Sequence, residues 1–216
     1  MGIPVLVLGD SGSGKSASMR NFEANEVGIF NVASKPLPFR KKLPKLDHAD
    51  YPVIGRTLMK NKGRAYVIED SQYLMAFELF GKINEASYAK FTQVAKNFYD
   101  LVQLVINNTS EDTIVYFLHH TEKGEDGRLK AKTSGKMLDS QLTLEGLFSI
   151  VLMAVTDGRN YEFVTQSDGT NTCKSPMEMF DARIPNDLKL VDMKIREYYG
   201  LKPIVDAAPV SVKEEA

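Results

Sequence analysis

Apolar residues along this chain gather first into short unbroken runs. Residues 3–8 (IPVLVL) form a continuous apolar stretch, the pattern of a strand buried on both faces. Residues 28–33 (GIFNVA), 65–68 (AYVI), 113–118 (TIVYFL) and 148–155 (FSIVLMAV) read the same way. After the Asp157-Gly158 turn, residues 161–166 predict a hairpin partner. Helical spacing replaces these runs elsewhere. Tyr88, Phe91, Val94, Ala95, Phe98, Leu101, Val102 and Val105 stand three or four positions apart and predict one face of a long helix following Ser71. Residues 15–24 have helix-forming composition, and residues 187–199 place Leu188, Val191, Ile195 and Tyr198 on one side of a closing helix. Strands alternating with helices predict an α/β fold, a mainly parallel sheet flanked by helices with a C-terminal antiparallel hairpin.

Polar segments separate these elements. Residues 34–50 contain three prolines and the basic cluster Arg40, Lys41, Lys42 and Lys45, and predict an irregular surface excursion. Residues 122–140 carry three glycines with Lys123, Arg128, Lys130, Lys132 and Lys136, and predict a mobile loop. The small, acidic stretch 206–216 predicts a disordered tail beyond a single domain spanning 1–205.

Composition narrows the function classes. A net charge of -1 argues against a general nucleic-acid or membrane-surface binder, although local basic patches remain. The single cysteine, Cys173, excludes an intrachain disulfide and suits a reducing cytoplasm. The N-terminal apolar run is too short for a secretory signal, Leu6 breaks the myristoylation pattern, and no stretch is long enough to span a bilayer. A soluble, cytoplasmic protein with no membrane partner is expected.

The densest chemistry lies directly after the first run. Gly9-Asp10-Ser11-Gly12-Ser13-Gly14-Lys15-Ser16 matches the phosphate-binding loop pattern in full, between a strand and a predicted helix. Glycines at 9, 12 and 14 let the backbone turn and aim N–H groups at phosphate oxygens. With Ala17, the loop predicts an ATP site; a helix starting near Gly14 adds its dipole, Lys15 reaches the β- and γ-phosphates, and Ser16 ligates Mg²⁺. Such a site needs a carboxylate at a neighbouring strand end, and Glu69 and Asp70 both qualify. Asp70, followed by Ser71, is assigned to the metal; helix capping is the competing role. His119 and His120 close the strand at 113–118. Alternation predicts one buried and one facing the site, where His120 is the candidate to sense the γ-phosphate; two satisfied histidines at a strand end fit equally well.

With these residues in place, the chain resembles the phage-encoded AAA/RecA-like P-loop ATPases, and most nearly the small proteins of single-strand-annealing recombination. The resemblance covers most of the chain. It rests on IPVLVLGDSGSGKS, AYVIEDSQYL, TIVYFLHHTE, KTSGKMLD, FSIVLMAV and IPNDL. It implies an ATPase core that assembles head-to-tail into a ring or filament, acts on single-stranded DNA in the host-cell cytoplasm, and works beside a single-strand-binding protein. Lys130 and Lys132 become candidates for a finger reaching a neighbour's γ-phosphate, and Arg128 and Lys136 for DNA or interface contact. A solvated basic loop is the competing reading, because Glu122, Glu125 and Asp126 dilute its charge. RecA-like enzymes usually carry a catalytic glutamate at the end of the second strand. Here that end reads Asn31-Val32-Ala33-Ser34-Lys35, which leaves Glu69 as candidate to polarise water and makes ATP binding better founded than fast hydrolysis. Two other functions stay open. One is an assembly or switch protein with little turnover; the other is a small-molecule kinase, disfavoured because the only lid-sized loop is rich in lysine rather than arginine.

Overall fold

The structure is a computed structural model and describes residues 1–60, 63–134 and 142–204. The tail 206–216 and Lys136 therefore lie outside the described residues, as does most of the KTSGKMLD segment.

All five apolar runs become interior strands of the sheet. The described residues form nine strands: β1 (Ile3–Gly9), β2 (Gly28–Asn31), β3 (Lys45–Asp47), β4 (Ala65–Glu69), β5 (Ile114–Lys123), β6 (Leu129–Ala131), β7 (Ile150–Thr156), β8 (Tyr161–Val164) and β9 (Arg183–Pro185). They order as β3-β2-β4-β5-β1-β7-β8-β9, with β6 paired to the far end of β5. The first six in that order are mutually parallel; β8 and β9 continue the sheet antiparallel. The fold is thus α/β, with a mostly parallel sheet and a C-terminal antiparallel hairpin.

Side chains alternate strictly across this sheet, and both faces are covered. Leu6, Leu8, Tyr66, Ile68, Val115, Phe117, Val151 and Met153 face one core with α1 (Tyr51–Met59), α2 (Gln72–Gly81) and α3 (Ala89–Asn108). Val5, Val7, Ala65, Val67, Tyr116, Leu118 and Leu152 face a second core with Met19, Phe22 and α4 (Leu188–Tyr199). The α3 stripe buries Val94, Ala95, Phe98, Leu101, Val102 and Val105, as the spacing predicts. Asp187 caps α4 by accepting from the backbone N–H of Lys189 at 2.9 Å, and Gly200 ends it in the left-handed conformation, φ 66°.

Four local expectations differ. Residues 15–24 yield only a six-residue 3-10 helix, Ser16–Asn21. Serines and Asn21 are weak helix formers, and the Ser18 hydroxyl takes the Lys15 carbonyl at 2.5 Å. The long helix after Ser71 is two helices, broken where Ser87 accepts from the Ala89 N–H at 3.1 Å. Within the predicted mobile loop, β5 runs on to Lys123 and pairs antiparallel with β6, Glu122 opposite Lys130, around Gly127 at φ 82°. The excursion 34–50 contains the short β3, and Asp50 then caps α1. Among the described residues no helix is long and apolar enough to cross a membrane.

Candidate nucleotide site

The carboxyl ends of the parallel strands converge, because register aligns Gly9 with His120 and Asn31 with Glu69. β1 has β5 on one side and β7 on the other: the chain runs from β1 into the β5 half and later crosses from β5 to β7 in the other, and the crevice at such a switch of strand order is where these sheets bind ligands. A cavity of about 510 Å³ occupies that crevice. It is lined by the loop Ser11–Ala17 (Ser13 excepted), by Asn31 and Lys35 to Pro38, and by Glu69, Asp70, His120 and Tyr161.

The loop turns on its glycines: Gly9, Gly12 and Gly14 have φ of 157°, 80° and 94°. At Gly9 a side chain would begin 2.9 Å from the Ala154 carbonyl oxygen. Lys15 is nearly buried and donates to the carbonyls of Gly9 at 2.7 Å and Asp10 at 2.8 Å, folding back across its own loop. Burial lowers its pKa, while Glu69, Asp70 and Asp10 pull it upward. Asp10 accepts from the Thr121 hydroxyl, tying the loop to β5. The helix behind the loop is too short for its dipole to contribute much, which leaves the backbone N–H groups and Lys15 as the positive groups of the loop.

Ser16 stands against Glu69 rather than Asp70: its hydroxyl donates to Glu69 Oε1. Strand alternation is the reason. Glu69 shares the phase of Ala65 and Val67, whose side chains face the layer holding the 3-10 helix. Asp70 has already left the strand at φ 57° and turns toward Lys35, 2.7 Å from its Oδ2, and His120, 3.3 Å from its Oδ1. Burial pushes the Glu69 carboxyl up to about 7, against the Ser16 hydrogen bond. Burial also pushes Asp70 upward, but hydrogen bonds from His120 and Lys35 outweigh it and hold the acid below the usual range. Two adjacent carboxyls are thereby given different protonation tendencies.

The two histidines separate by the same alternation. His119 is fully buried, its ring 5.7 Å from that of Phe98, with Nδ1 2.8 Å from the Ser71 hydroxyl and Nε2 2.8 Å from the Lys132 carbonyl. His120 faces the loop. The other proposed cations are spread along the β5–β6 hairpin. Lys130 Nζ lies 3.8 Å from Glu122, Arg128 pairs with Asp126, and the backbone of Lys132 is bonded to both histidines.

Four site residues escaped the sequence reading. Asn31 and Lys35 had appeared as parts of a strand end lacking a carboxylate, Lys35 also within the irregular basic excursion that follows it. Tyr161 had appeared only as a hairpin residue, and Asn186 only within IPNDL. None belongs to a contiguous motif; the fold alone brings them to the loop. Among the described residues no group of three or more His, Cys, Asp or Glu is placed to hold a metal alone. Magnesium bound with a nucleotide does not need one, since phosphates and waters supply most of its ligands. Neither a protein-family model nor a curated protein matches the chain.

Proposed function

We propose that this chain is a P-loop ATPase of RecA-like type, binding magnesium–ATP at Gly9 to Ala17 and hydrolysing it in an oligomer that acts on single-stranded DNA. One observation supports the nucleotide site above all. Buried polar side-chain atoms are normally paired. Here Ser13 Oγ, Asn31 Oδ1, Glu69 Oε2 and both amide atoms of Asn186 are buried without partners, and all surround the glycine loop. Of these residues, Asn31 and Glu69 line the cavity beside Lys15, so unpaired acceptor oxygens and a cation face one space, which suits an anionic phosphate bound with its metal.

Ser16 and Glu69 are the residues that would hold magnesium, which neutralises phosphate charge when bound. Asp70, bonded to His120 on the cavity wall, is the carboxylate placed to orient water, standing in for the glutamate missing after β2. The roles of Glu69 and Asp70 are thus exchanged relative to the sequence expectation. Lys130 and Lys132 on the β5–β6 hairpin remain the finger candidates. The DNA role rests on the resemblance and on the basic segments around Arg40 and Arg128.

Lys15→Ala tests the site: ATP binding should be abolished, and binding equal to the parent would refute it. ATP turnover with and without single-stranded DNA, with particle size measured in the same samples, tests the rest. A second reading, an ATP-gated assembly protein with little turnover, draws on the Lys35–Asp70 ion pair, which holds the water-orienting acid in a closed contact. Equal turnover with and without DNA would favour it.

A further inference from the structure

Asn31 and Glu69 stand side by side at the carboxyl ends of β2 and β4. The two strands run parallel, their register pairs these residues, and neighbouring strands lie about 4.8 Å apart. Both side chains take the phase of Ile29 and Val67, so they project from one face of the sheet toward the layer that holds Ser16. Hydrogen bonding fixes which way the Asn31 amide points. Its nitrogen donates to the Lys35 carbonyl at 2.8 Å and to the Asp47 carboxylate, which uses both N–H groups. Its oxygen is left buried and without a donor. On Glu69, Oε1 accepts from the Ser16 hydroxyl, and Oε2 is likewise buried without a donor. Both residues line the loop cavity.

Two acceptor oxygens on adjacent strand ends call for a cation, and the lysines of the cavity are engaged elsewhere. Lys15 is bonded to the carbonyls of Gly9 and Asp10, and Lys35 to Asp70. Ser16 can keep its bond to Glu69 and still offer a metal its oxygen lone pairs. A carboxylate, a carboxamide oxygen and a hydroxyl form a hard-oxygen set that suits a small divalent cation. We propose that Asn31 Oδ1 is a third direct ligand of the metal that binds with the triphosphate, completing a side-chain set with Glu69 Oε2 and the Ser16 hydroxyl; the inference rests on the magnesium–ATP reading above. The neutral amide adds a ligand without adding a second negative charge beside the phosphates. It also ties the metal to the ends of two strands rather than one.

The test uses Mn²⁺ as the probe with the full chain and with Asn31→Leu, because water-proton relaxation by bound Mn²⁺ counts the waters left on the metal. In the parent Mn²⁺–ATP complex, an octahedral ion with two phosphate oxygens and three side-chain oxygens keeps about one water. Asn31→Leu should raise that count by about one and weaken Mn²⁺ binding at saturating ATP by about tenfold or more. Its ATP affinity in chelator should equal the parent's. The parent count needs no variant, so an unstable Asn31→Leu does not shield the idea. Two or more waters on the parent's metal overturn the three-oxygen site. So does an Asn31→Leu protein that binds Mn²⁺ like the parent, the result expected if a buried water serves the two oxygens. A loss of ATP affinity in chelator as large as that with Mn²⁺ also overturns it, and makes Asn31 a brace between Lys35 and Asp47. A parent that binds ATP neither with Mn²⁺ nor without it overturns the magnesium–ATP reading and the ligand together.

Discussion

Lys35 Nζ lies 2.7 Å from Asp70 Oδ2, joining the segment after β2 to the residue that follows β4. The same ammonium stands 5.0 Å from the centre of the Tyr73 ring. The lysine side chain is 56% exposed while the aspartate is buried, so the pair adds little to stability. Its weight falls on chemistry. Among the described residues, Lys15 and Lys35 are the lysines lining the loop cavity. Lys35→Met should therefore leave the melting temperature nearly unchanged, lower ATP turnover about tenfold and shift ATP affinity much less. Turnover equal to the parent would reduce the pair to charge neutralisation.

Glu69 and Asp70 should fail in different ways. Glu69→Gln should remove the dependence of nucleotide affinity on magnesium, because the carboxylate beside Ser16 is lost. Asp70→Asn should keep that dependence and lower turnover by roughly 10²-fold or more, the usual loss for a water-orienting base. Nucleotide titrations with magnesium and with chelator, beside steady-state rates, separate the two. The reverse pattern would return the metal to Asp70.

The contrast between those two acids also marks how far the sequence could be read. The strands of the sheet centre were legible because they are buried on both faces and so appear as unbroken apolar runs. The loop was legible because its geometry demands glycines at fixed spacing. Which acid meets Ser16 was not, since Asp70 leaves the strand at positive φ and a two-residue pattern cannot report that turn. The β5–β6 hairpin hid in a polar, glycine-containing segment whose pairing buries little beyond Ala131. Asn186 reaches the loop from 172 positions beyond Gly14 (186 less 14), a contact only tertiary structure creates.

His119 gives a stability signature. Burial lowers its pKa from 6.5 to about 4, against the Lys132 carbonyl bond that favours protonation. The unfolded chain takes up the proton near 6.5 while the folded chain resists it down to about 4. The associated stability is present above 6.5 and is lost as pH falls through that interval. By about pH 5 the loss should approach roughly 2 kcal/mol. Urea unfolding of the parent and of His119→Gln at pH 7 and about pH 5 should show the parent's advantage shrinking by that amount. Parallel pH curves would assign the acid sensitivity elsewhere.

Arg196 anchors the end of the sheet opposite the glycine loop. It is buried, bonds Asp192 on its own helix, and donates to the carbonyls of Arg64 at 2.8 Å, Asp112 at 2.8 Å and Lys202 at 3.0 Å. Asp192 in turn accepts from the Tyr116 hydroxyl at 3.0 Å. One guanidinium thus joins α4 to the starts of β4 and β5 and to the chain leaving α4. Arg196→Met should cost about 3–5 kcal/mol, because it strands a buried carboxylate and three carbonyls. Arg196→Met combined with Asp192→Leu should recover part of that loss, since two apolar groups strand no charge. Denaturant unfolding of the parent, Arg196→Met, Asp192→Leu and the double variant measures the coupling. A double variant as unstable as the sum of its single variants would mean that Arg196 and Asp192 act independently.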